Sequence, residues 1–171
     1  MAEKERAGTP GPDSAVGPVP PDLGILLTLS LRGFVDLLHG ELGQRGFADV
    51  RPPFGVVFRA LRDGPLTLTD LAARLGVTKQ AAAKVVTEMV GKGMLRRRPD
   101  VRDARAKLLE FTPRGRLAMR TAIEIGADVE RRLREQVGDG AADELKQTLA
   151  AFVELAGGAA ELAQRRSRLV W

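Results

Sequence analysis

The chain has 171 residues, enough for one domain with a real hydrophobic core, and it contains no cysteine and a single histidine. That composition excludes disulfides, thiolate metal sites and cysteine-based redox switching, and one histidine argues against a transition-metal centre. The net charge is +5, but between Lys79 and Lys107 nine basic residues face three acidic ones (Glu88, Asp100 and Asp103), a surplus of six that exceeds the net charge of the whole chain. A local field of that kind suits a polyanionic partner, the alternative being a merely solvated basic face.

Residues 1–20, "MAEKERAGTPGPDSAVGPVP", combine proline, glycine and charge with no apolar period, which predicts a disordered tail. They lack the apolar core and cleavage site of a signal peptide, and the apolar runs beyond them read as too short for a membrane span. A cytoplasmic protein with no membrane partner and no cofactor is therefore expected. Over 21–50 the spacing of Leu23, Leu26, Leu27, Leu31, Phe34, Val35, Leu38 and Leu42 predicts a helix. Ile25, Leu29 and Leu37 load its other side, so it needs two surfaces to bury against. Either it is a central helix buried all round in a monomer, or one of its faces meets a partner chain.

A second helix is expected over Arg51–Gly64, starting at the prolines, with Val56, Val57, Ala60 and Leu61 inward. Thr67 then reads as an N-cap with Asp70 three residues on, and Gly76 as the stop of a third helix whose inner residues are Leu71, Ala72 and Leu75. Thr78 caps the next helix, which runs to about Lys92 before Gly93. Two short β segments around "VRDAR" predict a hairpin with a basic tip. A long helix opens at Thr112-Pro113, and a last one carries the stripe Leu145, Leu149, Phe152, Val153 and Ala156 up to Gly157-Gly158.

Two short capped helices joined by "GVT" and followed by a hairpin make a winged helix-turn-helix. On the second of the pair, Ala82, Val85, Val86 and Met89 share the core face. Gln80, Lys84 and Thr87 then face outward, with Lys79 and Ala83 on one flank and Ala81 on the other. The run "TKQAAAKVV" is thereby explained: Ala82 packs inward, while Ala81 and Ala83 let the helix sink into a major groove, where a methyl can touch a thymine methyl. Gln80 can pair with an adenine edge, and Lys84 can reach guanine or phosphate. Thr67, Thr69 and Thr78 stand at helix starts, where capping and phosphate contact are both open. Arg102 and Arg105 at the hairpin tip read as minor-groove or phosphate ligands, with Lys107 beside them in the basic window. Arg96, Arg97 and Arg98 alternate along a strand, so at least one points away from DNA.

The stretch "LTLTDLAARLGVTKQAAAKVVTEMVGKGMLRRRPDVRDARAKLLEFTPRGR" resembles the heart of a MarR-family transcriptional regulator, and the likeness extends more weakly over residues 22–156. The wing, "PDVRDARAKLLEFTPRG", is similar to the family's acidic-x-Arg wing through Asp103 and Arg105. The resemblance implies that Arg105 enters the minor groove braced by Asp103, and that the terminal helices pair two subunits. It also implies release from DNA by a small aromatic anion in a crevice drawing on Leu31, Phe34, Phe54, Phe58 and Ile123. His39 is a packed or capping histidine, or a further contact of that ligand. The sequence departs from the family's commoner pattern at residues 81–83, where longer polar residues are frequent.

No Ser-His-Asp set, P-loop or dinucleotide-binding turn is found, so an enzyme is not expected. The fold class expected is mainly α with a small β-hairpin wing (α+β): a winged helix-turn-helix lobe over 51–111, flanked by helical dimerisation regions over 21–50 and 112–171. The function expected is a homodimeric regulator, a repressor rather than an activator, on an inverted repeat of double-stranded DNA. The alternative is a winged-helix module that binds a protein instead.

Overall fold

The computed structural model describes residues 22–100 and 106–159. The expected tail at residues 1–20 and the wing-tip residues Arg102, Asp103 and Arg105 lie outside them. Helix α1, Leu23–Leu42, starts where the Asp22 carboxylate accepts the Ile25 N–H at 2.9 Å. It loosens into a π turn, Gly43–Phe47, where Arg45 leaves helical geometry and Gly46 takes a left-handed φ of 83°. Helix α2, Pro52–Ala60, opens on two prolines, whose missing N–H groups cost nothing in a first turn. It ends at Ala60 rather than Gly64, because Leu61 leaves helical geometry, although that side chain stays in the core.

Helix α3 (Leu68–Leu75) and helix α4 (Lys79–Gly91) are capped by Thr67 and Thr78, whose hydroxyls accept the N–H of Asp70 and Ala81. Gly76, at φ 65°, makes the turn between them, which any side chain would strain. Strands β2 (Leu95–Pro99) and β3 (Lys107–Phe111) form the expected antiparallel hairpin, in register from Leu95 opposite Phe111 to Pro99 opposite Lys107. A further strand, β1 (Leu66–Thr67), pairs with the other edge of β3 and gives the order β1-β3-β2. Two residues are too few to show an alternating pattern, so the sequence reading had no signal for it. Helix α5, Pro113–Val137, is capped by Thr112, and helix α6, Asp139–Leu155, follows directly after Gly138.

Phe54, Val57, Leu71, Leu75, Val86, Met89, Met94 and Leu109 form the centre of the core, drawn from α2, α3, α4 and the sheet. The core reaches α1 at Leu42 and α5 at Ala118 and Ile125. Leu38 packs against it in part, but most of α1 is open: Leu29 and Leu31 are 60% and 61% exposed, and Leu145, Leu149 and Phe152 of α6 are exposed as well. Of the two faces the sequence gives α1, the single chain covers little more than the C-terminal end of one. The expectation that no apolar run approaches a membrane span also needs correction. Residues Leu23–Phe47 form a helical segment long and apolar enough to cross a membrane by length and composition alone, since a helix apolar on both sides scores like a span.

The lobe is joined to α5 by a tight junction. Thr112 donates its hydroxyl proton to the Gly93 carbonyl at 2.6 Å and its N–H to the Met94 carbonyl at 3.1 Å, while accepting the Gly115 N–H at 3.0 Å. Gly115 passes so close to Met94 that a Cβ there would overlap the Met94 carbonyl oxygen, backbone that cannot swing away. Gly126, further along the same helix, has open space around it. Gly115→Ala is therefore expected to cost at least about 1–3 kcal/mol in denaturant unfolding through overpacking. Gly126→Ala should be neutral or stabilising, as alanine is the better helix former. Equal stability of the two variants would contradict the junction.

Candidate nucleic-acid interface

The inward face of α4 settles what the helix presents outward. Ala82, Val85, Val86 and Met89 are buried, which leaves Thr78, Gln80, Ala81, Ala83, Lys84 and Thr87 lining one shallow, open depression. Gln80, Lys84 and Thr87 are exposed there, and the methyls of Ala81 and Ala83 lie half-buried between them. The Thr78 hydroxyl spends a lone pair on the Ala81 N–H and keeps its proton for an acceptor such as phosphate. Thr67 differs. Its hydroxyl accepts the Asp70 N–H at 3.1 Å and donates to the Asp70 carboxylate at 2.7 Å, so it is spent on the cap. The geometry therefore favours the capping alternative at Thr67, whereas Thr69 is exposed.

A second depression flanks the first, lined by Thr69, Lys79, Arg97 and Lys107 among others. Strand parity brings these residues together. Leu95 faces the core, so Arg97 shares its side of the sheet, and Arg96 and Arg98 point to the other. On that other side both meet Glu110, with Nε to carboxylate distances of 2.6 Å for Arg96 and 2.9 Å for Arg98. Hydrogen bonds from Arg98 first, and then from Arg96, hold the Glu110 carboxyl below the usual glutamate range against the opposing effect of burial. Arg97 is the functional candidate that sequence reasoning missed. Counting alternate residues from Leu95 was the signal that could have found it.

Elsewhere the described cations are mostly paired. Glu88 holds both Arg51 (3.0 Å) and Lys92 (3.9 Å), and Asp49 holds Arg114 (3.0 Å). Among the described residues Lys79, Lys84, Arg97 and Lys107 make no ion pair and all four line the two depressions, whereas Arg116 and Arg120 of α5 make none either but line neither. Uncompensated positive charge beside a helix with a low, small-residue face is a surface suited to a groove walled by phosphates.

The residues proposed for a ligand crevice separate. Phe34, Phe58 and Ile123 line one cleft of about 240 Å³ between α1, α2 and α5, together with Leu38, Met119 and two arginines, Arg59 and Arg62. Phe54 is fully buried in the core and does not line it, and Leu31, exposed nearer the N-terminus of α1, does not line it either. His39 also lies apart. Its Nδ1 sits 3.0 Å from the Val50 carbonyl, which can only accept, so the ring donates there and ties α1 to the segment before α2. Arg59 is exposed to solvent, and its guanidinium stays charged at any pH of interest. Both arginines escaped the sequence reading because they fall on the polar side of a short helix and just past its end. Among the described residues no group of His, Cys, Asp and Glu is placed to hold a metal ion.

Residues 56–106 match the model of the MarR family. The fold is similar to that of the transcriptional repressor CouR bound to a 23-mer DNA duplex, with 23% identity, a TM-score of 0.63, and 77% of this chain and 92% of that one covered. It is also similar to wild-type MarR from E. coli in its apo form (21% identity, TM-score 0.60, 79% of this chain and 99% of that one). A third likeness is to RV1404 from Mycobacterium tuberculosis (26% identity, TM-score 0.60, 81% of this chain and 97% of that one). The sequence has no match among curated proteins.

Proposed function

We propose that the lobe is a MarR-family winged helix and that the protein is a homodimeric, sequence-specific DNA-binding transcriptional regulator acting as a repressor. The observation that carries the reading is the alignment of four cations without ion pairs among the described residues, Lys79, Lys84, Arg97 and Lys107, with the low outward face of α4. In this reading α4 enters the major groove, Ala81 and Ala83 approach thymine methyls, and Gln80 reads an adenine edge. Thr78 and Lys79 hold phosphate at the start of the helix, Lys84 reaches guanine or phosphate, and the wing tip with Arg102, Asp103 and Arg105 follows the minor groove. The repressor role is suggested by the likeness to CouR. A protein-interaction module would not need Gln80 and four such cations on one side.

The lobe spans 51–111, and the flanking regions 21–50 and 112–171 pair two subunits. The support is the set of large apolar side chains that α1 and α6 leave exposed, among them Leu29, Leu31, Leu37, Leu145, Leu149 and Phe152, a grouping of the kind that marks an interaction surface. A two-fold dimer reads an inverted repeat with half-sites about one helical turn, or a multiple of it, apart. The cleft between α1, α2 and α5 takes a small aromatic anion, its ring against Phe34, Phe58 and Ile123 and its charge toward Arg59 and Arg62.

Sites selected from random DNA supply the test. On the selected duplex Gln80→Ala should lose about 1–3 kcal/mol and relax preference at one base position per half-site. Unchanged affinity together with unchanged preference would mean that α4 does not read bases through this face. Sedimentation at micromolar concentration should find a dimer, and a folded monomer would overturn the assembly. Benzoate, the simplest aromatic anion, should weaken the DNA complex about fivefold or more, within the ordinary range of coupling between two sites. Arg62→Ala should blunt that response. A DNA-binding isotherm indifferent to benzoate would remove the effector from the proposal.

A further inference from the structure

Three consecutive arginines in β2 are chemically alike, yet the sheet assigns them to different surroundings. Arg96 and Arg98 share the Glu110 carboxylate on the side of the sheet turned away from the core. Arg97 lies on the side that continues the core face of Leu95 and Leu109, at the margin where that face emerges beside α4. The alternation that gives the sheet its apolar face would call for an apolar residue here, and the chain carries a guanidinium. Its described contact is with α4: Nη2 stands 3.5 Å from the Thr87 hydroxyl oxygen, long for a hydrogen bond but enough to bias the side chain toward the helix.

We infer that Arg97, seated between the wing and α4, grips a backbone phosphate of the bound duplex, while Glu110 withdraws Arg96 and Arg98 from the interface. The inference rests on the DNA-binding reading above. Phosphate is favoured over a base edge by position. Base edges are read from the first turns of such a helix, whereas Thr87 lies in its later half, and Arg97 shares its depression with Lys79 and Lys107. The planar fork of arginine suits the phosphate oxygens, and the contact with Thr87 restricts the side chain before DNA arrives. Glu110 adds selectivity of a simple kind. By pairing with two of three adjacent cations it holds their guanidiniums on the far side of the sheet and cancels one of their two charges, which leaves Arg97 as the cation of this strand on the face that α4 shares.

The test is a salt series with wild type, Arg97→Ala, Arg97→Lys, Arg96→Ala and Arg98→Ala on two duplexes of equal length, one selected for binding and one scrambled. Arg97→Ala should lose about tenfold or more on both duplexes, as expected when a hydrogen bond to a charged group is removed. Its log–log salt slope should fall by about 0.9 per bound subunit, the counterion release of one phosphate contact. Arg97→Lys should restore most of the slope but only part of the affinity, and Arg96→Ala and Arg98→Ala should keep the wild-type slope. Arg97→Gln keeps the stem and takes the place of Arg97→Ala if the latter loses its folded circular dichroism signal. A wild-type slope in Arg97→Ala, or an equal loss of slope in Arg96→Ala or Arg98→Ala, overturns the assignment. A loss confined to the selected duplex would make Arg97 a base reader and overturns it too. Wild type that binds neither duplex fails the DNA-binding reading instead, a separate result.

Discussion

The inner face of α4 governs what the lobe can show to a partner. Val86 and Met89 are fully buried and Ala82 almost so, packed among residues of α2, α3 and the sheet. A helix gripped along that stripe cannot turn about its axis without exposing those side chains, at roughly 1.5–3 kcal/mol for each large one. The rotation of α4 is therefore set by the core and not by its outer residues. Gln80, Lys84 and Thr87 point outward as a consequence, and no electrostatic preference of their own is needed to hold them there.

The wing depends on the same core through the sheet. Leu95, Leu109 and Phe111 are buried, which fixes the parity of both strands and so decides which of three neighbouring arginines meets α4. Thr112 closes the end of β3 onto the turn after α4, and Arg114 fastens the other side of that turn. Its guanidinium bonds Asp49 at 3.1 and 3.0 Å and the Lys92 carbonyl at 2.7 Å, and it lies over the Phe47 ring at 5.8 Å. The hydrogen bond from Arg114 holds the Asp49 carboxyl below its usual range, against the partial opposition of burial. A carboxyl lowered in this way stabilises the fold fully above the ordinary aspartate range, and its contribution is lost only as pH falls through the lowered value. At neutral pH the link is fully charged. It joins the π turn, the end of α4 and the start of α5.

Outside that unit the chain is unfinished. Most of α1 and the outward stripe of α6 leave leucines, phenylalanines and Ile25 in water, although ion pairs knit the surrounding helices: Glu41 with Arg132, and Glu130 with Lys146 and Arg134. Exposed ion pairs of this type add little stability. They orient α1 and α6 on α5 rather than substitute for burial, so the open apolar area is presented in a defined geometry. The cleft beside Phe58 lies between these helices and α2, where the two parts of the molecule meet.

Much of this was legible in the residues. Caps at Thr67, Thr78 and Thr112, the stop at Gly76 and the apolar spacing of α1, α4 and α5 are local signals, because backbone hydrogen bonding and helical period act within a few residues. The outward face of α4 followed from the same period. Three things required the tertiary structure. Strand β1 exists only because β3 offers it an edge. The roles of Arg96, Arg97 and Arg98 depend on Glu110, which is distant in sequence and directly across the sheet. Phe54 and Phe58 have the same chemistry, sit four apart on one helix and are both buried, yet only Phe58 also lines the cleft beside α1 and α5. Local sequence determines which elements form and which face is apolar, since those depend on neighbours along the chain. Which charge is paired and which aromatic borders a cleft depends on neighbours in space, and only the packed chain supplies them.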